Sequence, residues 1–308
     1  MTRPQPTGEF LEGKVVAVTG AGRGIGRAVA LACAAEGASV VVDDYGVSVD
    51  GLSPSSAVAE AVVTEITQAG GKAIALADSV ATMDGAEHIV TAAVDHFGRL
   101  DGVVCVAGIL RGRKLFEMQE DDWDAVIAAH LKGTFTVFRA ASAIMRQQRF
   151  GSLVGFTSGI HVGSVSHPNY SAAKAGIASL VRSAALVLHE YGVTANAVAP
   201  VARTRMTTDV PGVDNMPQPE DIAPLVVYLL SDAAREITGQ IYTAAGSKIA
   251  VWAQPQEVRA VFASEPWTPQ RIAEVLPLTL GQERLQMLGV MEEIARAVAA
   301  GETPPWVP

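Results

Sequence analysis

Lys14-Val15-Val16-Ala17-Val18-Thr19-Gly20-Ala21-Gly22-Arg23-Gly24-Ile25-Gly26 is the stretch on which the fold turns. Its first five residues are an apolar, β-branched run, the composition of a strand buried on both faces of a parallel sheet. The glycines that follow allow a tight turn, close approach of the backbone to a pyrophosphate, and a helix whose N-terminal amides face an anion. Gly20, Gly24, Ile25 and Gly26, with Arg23 beside them, are therefore assigned to a dinucleotide loop. A glycine-rich turn alone is weak evidence. Here an alanine-rich helical run, Arg27 to Glu36, follows it, and then a second apolar strand, Ser39 to Val42. That strand runs into Asp43-Asp44, where a carboxylate would accept hydrogen bonds from adenosine ribose hydroxyls and repel a 2′-phosphate, so NAD is expected over NADP. Arg23 pulls the other way, because a guanidinium near the ribose could accept that phosphate.

Outward from this unit the alternation continues. A Gly/Ser/Pro-rich loop, Gly46 to Ser56, is longer than the few residues usual between strand and helix. A helix (57–69) and a strand (73–77) lead into Asp78-Ser79-Val80, expected beside the adenine, and a helix (85–97) and strand (101–106) follow. Gly151–Phe156, Val193–Ala199 and Gln240–Ala244 bring the count to seven strands, which predicts an α/β fold with a doubly wound parallel sheet. Residues 1–250 are expected to form this domain. Residues 251–308 read as an extension that packs on the pocket or on a neighbouring subunit, with Leu285, Leu288, Met291 and Ile294 at helical spacing in Gln282 to Ala299.

The chemistry-bearing stretch is Asn169-Tyr170-Ser171-Ala172-Ala173-Lys174. At a spacing of four, a phenol and an ammonium leave one helical face. A phenol has a pKa of about 10, and a nearby cation should lower it, so Tyr170 is expected to move a proton with Lys174 as its partner. Twelve residues earlier the fifth strand ends at Thr157-Ser158, where a hydroxyl can donate to a substrate oxygen as negative charge builds. Alignment of the strand favours Ser158, whereas counting back thirteen from the tyrosine gives Thr157; Ser158 is preferred because loops absorb deletions more readily than strands.

Together, Thr19-Gly-x-x-x-Gly-x-Gly and Tyr170-x-x-x-Lys174 resemble the short-chain dehydrogenase/reductase superfamily, which implies a Rossmann-like fold and a nicotinamide cofactor. Val40-Val-Val-Asp-Asp-Tyr-Gly46, Asp78-Ser-Val80, Ala107-Gly-Ile-Leu-Arg-Gly-Arg113, His130-Leu-Lys-Gly-Thr-Phe135 and Ala202-Arg-Thr-Arg-Met-Thr207 resemble the (3R)-hydroxyacyl-CoA dehydrogenase module of multifunctional enzymes. The likeness implies a 3-hydroxyacyl-CoA or related hydroxy/keto substrate, with Arg111, Arg113 and Lys114 as candidate contacts for a phosphate-bearing tail or simply a solvated loop. It also implies that Ala107, Gly108, Thr204 and the backbone at Val201 and Ala202 lie near the nicotinamide. Two departures stand out. Where the superfamily has Asn-Asn-Ala-Gly this chain has Cys105-Val106-Ala107-Gly108, so the partners of two lost amides must be satisfied otherwise. Where many members have an asparagine in the proton relay, this chain has His130, either a relay member or a hydrogen-bonded core histidine.

A net charge of −9 and a pI near 5.2 disfavour nucleic acid or an anionic membrane as partners. Cys33 and Cys105 lie in apolar runs and read as reduced thiols, which suits a cytoplasmic protein, and no run of about 18 uninterrupted apolar residues occurs. His161 and His167 lack an acidic or thiol companion at ligand spacing, so no metal is expected. The expected partners are a small alcohol or ketone and further copies of the chain, as a homodimer or homotetramer. Two other readings stay open: the same chemistry on a small ketone, steroid or polyketide, and a non-catalytic NAD-binding assembly protein.

Overall fold

The structure is a computed structural model that describes residues 10–208, 213–281 and 285–301. Its centre is β1 (Val15–Thr19), buried at every position. Val16 and Val18 enter one core layer and Val15 and Ala17 the other, as strand alternation requires of a sheet covered on both sides. β1 pairs in parallel with β2 (Ser39–Asp43) on one side and β4 (Gly102–Cys105) on the other. β3 (Lys72–Leu76) extends the first side, and β5 (Gly151–Phe156), β6 (Val193–Pro200) and β7 (Ile241–Ala245) the second, giving the order β3-β2-β1-β4-β5-β6-β7.

One face is covered by α1 (Gly24–Ala35), α2 (Ala57–Gln68) and α7 (Ala223–Leu230). The other is covered by α3 (Met83–Phe97), α5 (Gly133–Gln148) and α6 (Pro168–Leu188). Each buried Val, Leu or Ile side chain stabilises by about 1.5–3 kcal/mol, so a sheet apolar on both faces has one stable solution, helices on both. The strand order reverses at β1, between β2 and β4, and ligands of such sheets bind in the crevice at the carboxyl ends beside that point.

Four features differ from the sequence expectation. The sheet has an eighth strand, β8 (Lys248–Val251), antiparallel to β7, because Gly246 at φ +60° and Ser247 form a two-residue hairpin loop. The run carrying His130 is three pieces, α4 (Glu120–Ile127), a π-helical turn (Ala128–Lys132) and α5. α1 starts at Gly24, three residues before the alanine-rich run. A helix α8 (Pro269–Thr279), N-capped by the Thr268 hydroxyl, precedes α9 (Gln286–Ala299).

The chain divides into two compact units, Met1–Trp252 and Ala253–Pro308. Residues 209–212 and 282–284 and the side chains of Met291 and Ile294 lie outside the described residues. α6 with the turn after it, Pro168–Tyr191, is long and apolar enough by composition to cross a membrane, but in this fold it packs on β6 as a core helix.

Candidate active site

The glycine turn closes the carboxyl end of β1. Gly20 sits at φ +65°, and a Cβ there would come within 2.7 Å of the Ala107 backbone, so the turn passes the end of β4 at a distance only glycine permits. A Cβ on Gly26 would lie 2.0 Å from the Gly20 carbonyl oxygen, which fixes how closely α1 crosses the turn. Arg23, the N-cap of α1, contributes no side-chain cap, so the first amides of the helix are left for an anion.

A cleft of about 430 Å³ opens over this turn, lined by Gly20, Arg23, Gly24, Ile25, Gly26, Asp43, Asp44, Ser79, Val80, Ala107, Gly108, His130, Tyr170, Lys174 and Thr204 among others. The open helix amides and a glycine floor that no side chain could share fit a dinucleotide. Of the expected cofactor contacts, Val201 and Ala202 are not among the residues that line the cleft; Val201 is engaged in the sheet. Its amide donates to the Ala244 carbonyl at 2.9 Å as part of the sheet, and Pro200, Thr204, Arg205 and Met206 form that wall of the cleft instead.

The two aspartates do different work. Asp44 accepts from the Gly22 amide through one oxygen and from the Gly46 amide through the other, both at 2.7 Å, so it braces the glycine turn. Asp43 accepts from the Asp78 amide at 2.9 Å, yet burial pushes its carboxyl up to about 8. The long loop after β2 is tied to three segments. Val47 offers its carbonyl to both Arg23 (3.1 Å) and Arg205 (2.8 Å), Val49 accepts from the Leu110 amide, and Asp50 from Arg111. Arg111 also donates to the Asp121 carbonyl and Arg113 pairs with Asp122, so two of the three charges offered for a phosphate tail hold loops.

At the other end of the cleft α6 presents Tyr170 and Lys174. The Ser158 hydroxyl stands close enough to the Tyr170 phenol to oppose the rise in its pKa, whereas the neighbouring Thr157 hydroxyl is buried and donates to the Lys174 carbonyl at 2.8 Å. Lys174 Nζ lies 5.3 Å from the centroid of the Tyr170 ring and donates to the Phe156 carbonyl at 2.6 Å. The expectation that this ammonium makes the phenol acidic is corrected. Burial dominates both groups, pushing Tyr170 up to about 12 against the opposing Ser158 hydroxyl, and Lys174 down to about 7.

His130, on the π-helical turn, is buried and meets the Tyr170 ring edge to face at 5.0 Å. Its Nε2 is 2.7 Å from the Ile109 carbonyl and 3.2 Å from the Ile109 amide, while Nδ1 is enclosed with no hydrogen-bond partner among the described residues. Burial, with Lys174 nearby, pushes the imidazole down to about 3, so the ring is neutral. A Cβ on Gly108 would fall 2.1 Å from this ring, and the histidine thereby anchors the strand end that lost its amides. The backbone there is met by Thr19, whose carbonyl accepts from Val106 and whose hydroxyl accepts from Ala107.

Sequence reasoning missed Arg205 and the role of Asn169. Asn169 is fully buried, donates to the carbonyls of Arg111 and Asp122, and accepts from the Tyr170 amide, clamping the start of α6 to the far wall. Only its place beside the tyrosine hinted at this.

With this geometry in hand, the profile of the short chain dehydrogenase family matches residues 14–212. A crystal structure of a short chain dehydrogenase from Mycobacterium avium superposes with a TM-score of 0.82 at 45% identity, covering 90% of this chain and 97% of that one. A hydroxyacyl-CoA dehydrogenase of Mycobacterium tuberculosis is 40% identical over 286 residues, 86% of this chain and 88% of its own. The peroxisomal multifunctional enzyme type 2 of Mus musculus is 39% identical over 269 residues, 85% of this chain but 36% of that longer protein. The chain belongs to the short chain dehydrogenase family, whose fold binds a nicotinamide cofactor.

Proposed function

We propose that the protein is an NAD-dependent oxidoreductase interconverting a secondary alcohol and a ketone, acting on a 3-hydroxyacyl-CoA or a close relative of one. The observation that carries this is the glycine-loop cleft whose far end is lined by Tyr170 and Lys174 from one helix, with the Ser158 hydroxyl beside the phenol. A nicotinamide bound there supplies the hydride acceptor or donor. Tyr170, held as a neutral phenol by burial, gives its proton to the carbonyl oxygen in the reductive direction and takes it back in the oxidative one. Ser158 donates to the same oxygen as its charge grows, which favours the transition state over bound substrate. A protonated Lys174, its Nζ 5.3 Å from the centroid of the Tyr170 ring, stabilises the phenolate that develops there and so acts on the charge that appears during reaction. The preference for NAD rests on the acidic pair at the adenosine end, where Asp44 would repel a 2′-phosphate and Asp43, kept protonated by burial, can still hydrogen-bond ribose hydroxyls. The choice of acyl-CoA rests on the relative named for that activity.

The test is reduction of acetoacetyl-CoA by NADH and by NADPH, beside a panel of free ketones. The reading expects faster turnover with NADH and with the thioester. Tyr170→Phe should lower kcat by about a thousandfold or more, with NADH affinity within about twofold, as loss of a general acid implies. A Tyr170→Phe enzyme that still turns over would overturn it, and equal or better turnover with NADPH would overturn the cofactor choice.

A further inference from the structure

Of His161 and His167, the two histidines in the loop after Ser158, the structure gives His161 specific work. His167 rests against Gly112, where a Cβ would meet its Nε2 at 2.5 Å. His161 lies in the short 3-10 turn Gly159–Val162, directly after Ser158. The Ser158 carbonyl receives two bonds from it, one from the His161 amide at 3.1 Å and one from its Nδ1 at 2.5 Å. A carbonyl only accepts, so Nδ1 carries the proton in this arrangement. In the same turn the Ile160 amide donates to the Ser158 hydroxyl oxygen at 3.4 Å, which leaves the hydroxyl proton free to point at Tyr170. The turn that orients the Ser158 hydroxyl is thus closed by His161.

The other side of the imidazole is seated as well. Its ring meets the indole of Trp252 at 4.5 Å between centroids, tilted by 61°. Trp252 directly follows β8, its amide donates to the Ile241 carbonyl and its Nε1 to the Thr243 hydroxyl, both at 2.9 Å. A line of contacts therefore runs from the added hairpin through Trp252 and His161 to Ser158.

We infer that His161, seated on Trp252, is a positioning residue that fixes the Ser158 hydroxyl for the reaction. The inference rests on the reading of Ser158 as the substrate-facing hydroxyl. It also gives the eighth strand a function, because β8 is what delivers Trp252 to this turn. A histidine that merely fills space would be replaced by any side chain of similar bulk. A positioning donor is replaced only by one that puts an N–H where Nδ1 stands, and the asparagine amide does so.

The experiment compares wild type, His161→Asn, His161→Leu and Trp252→Leu as full-length proteins. Acetoacetyl-CoA reduction by NADH gives kcat and KM, NADH titration gives cofactor affinity, and amide hydrogen exchange is followed over residues 158–163. His161→Leu should lower kcat about tenfold or more, the effect of one lost hydrogen bond on a reacting group, with NADH affinity within about twofold and faster exchange in the turn. Trp252→Leu should do the same in smaller measure, and His161→Asn should bring both readouts back to within about threefold of wild type. Unchanged kcat and exchange in His161→Leu, or an asparagine variant as impaired as the leucine one, would overturn the inference. Should wild type fail to reduce acetoacetyl-CoA, the proposed substrate falls, and the exchange comparison of Asn against Leu still decides the role of His161.

Discussion

Asp43 and Asp44 are adjacent carboxylates at one strand end, and their surroundings separate them. Asp44 spends both oxygens on backbone amides, while Asp43 is 1% exposed with a single amide donor and with Asp78 and Asp44 nearby. Its value in the folded protein rises from 3.8 to about 8, so the fold retains a proton that the unfolded chain releases. The stability this group contributes is complete below about pH 4 and is lost as pH rises through about 8. Asp43→Asn keeps an acceptor for the Asp78 amide and cannot ionise. Melting temperatures from about pH 5 to about pH 9 should therefore fall less steeply in the variant than in wild type; parallel curves would refute the buried-proton account. The Tyr170–Lys174 pair teaches the converse lesson. Spacing in the sequence revealed that the two groups share a face, but their acidities depend on how much water each loses, which spacing does not encode.

Among the elements, the loop between β2 and α2 was legible only as too long. The structure shows it bound to the glycine turn through Arg23, to the β6 side through Arg205 and to the β4 side through Leu110 and Arg111. All of these partners are distant in sequence, so no local pattern could disclose them. Arg111 holds the loop with one bond to Asp50 and braces itself on Asp121 with another. At about 1 kcal/mol each, the loss of both should loosen the loop roughly thirtyfold. Arg111→Leu is expected to speed amide exchange across residues 47–52 and to raise the NADH dissociation rate by a similar factor; unchanged exchange would show that the remaining ties suffice. The π-helical turn under His130 was equally invisible, since a single added residue per turn leaves composition unaltered.

At the scale of the whole molecule, chemistry and stability occupy opposite ends of the sheet. The site lies at the carboxyl ends of the strands. At the amino ends Asp101, 4% exposed, accepts from the Val15 amide at 2.9 Å and from both arms of Arg99, whose guanidinium lies over the Phe150 ring at 4.6 Å. Asp101→Ala leaves the Val15 amide and Arg99 without this partner and should destabilise by roughly 2 kcal/mol in denaturant titration. Its kcat should stay within about twofold of wild type, because the site is a full strand length away. A large loss of kcat at unchanged stability would contradict that division.

The sequence by itself determined the sheet and the face on which the site would lie. Parallel strands buried on both sides must be apolar at every position, and a diphosphate turn must be glycine, so both leave a local mark in the order of residues. It also identified Tyr170, Lys174 and the pair Thr157-Ser158. Tertiary structure alone decided that the Thr157 hydroxyl is spent on the Lys174 carbonyl, why Val201 gives its amide to the sheet, and how an eighth strand reaches Ser158 through Trp252 and His161. Each of these depends on which distant group arrives to hydrogen-bond or exclude water, and that competition is settled only when the chain has packed.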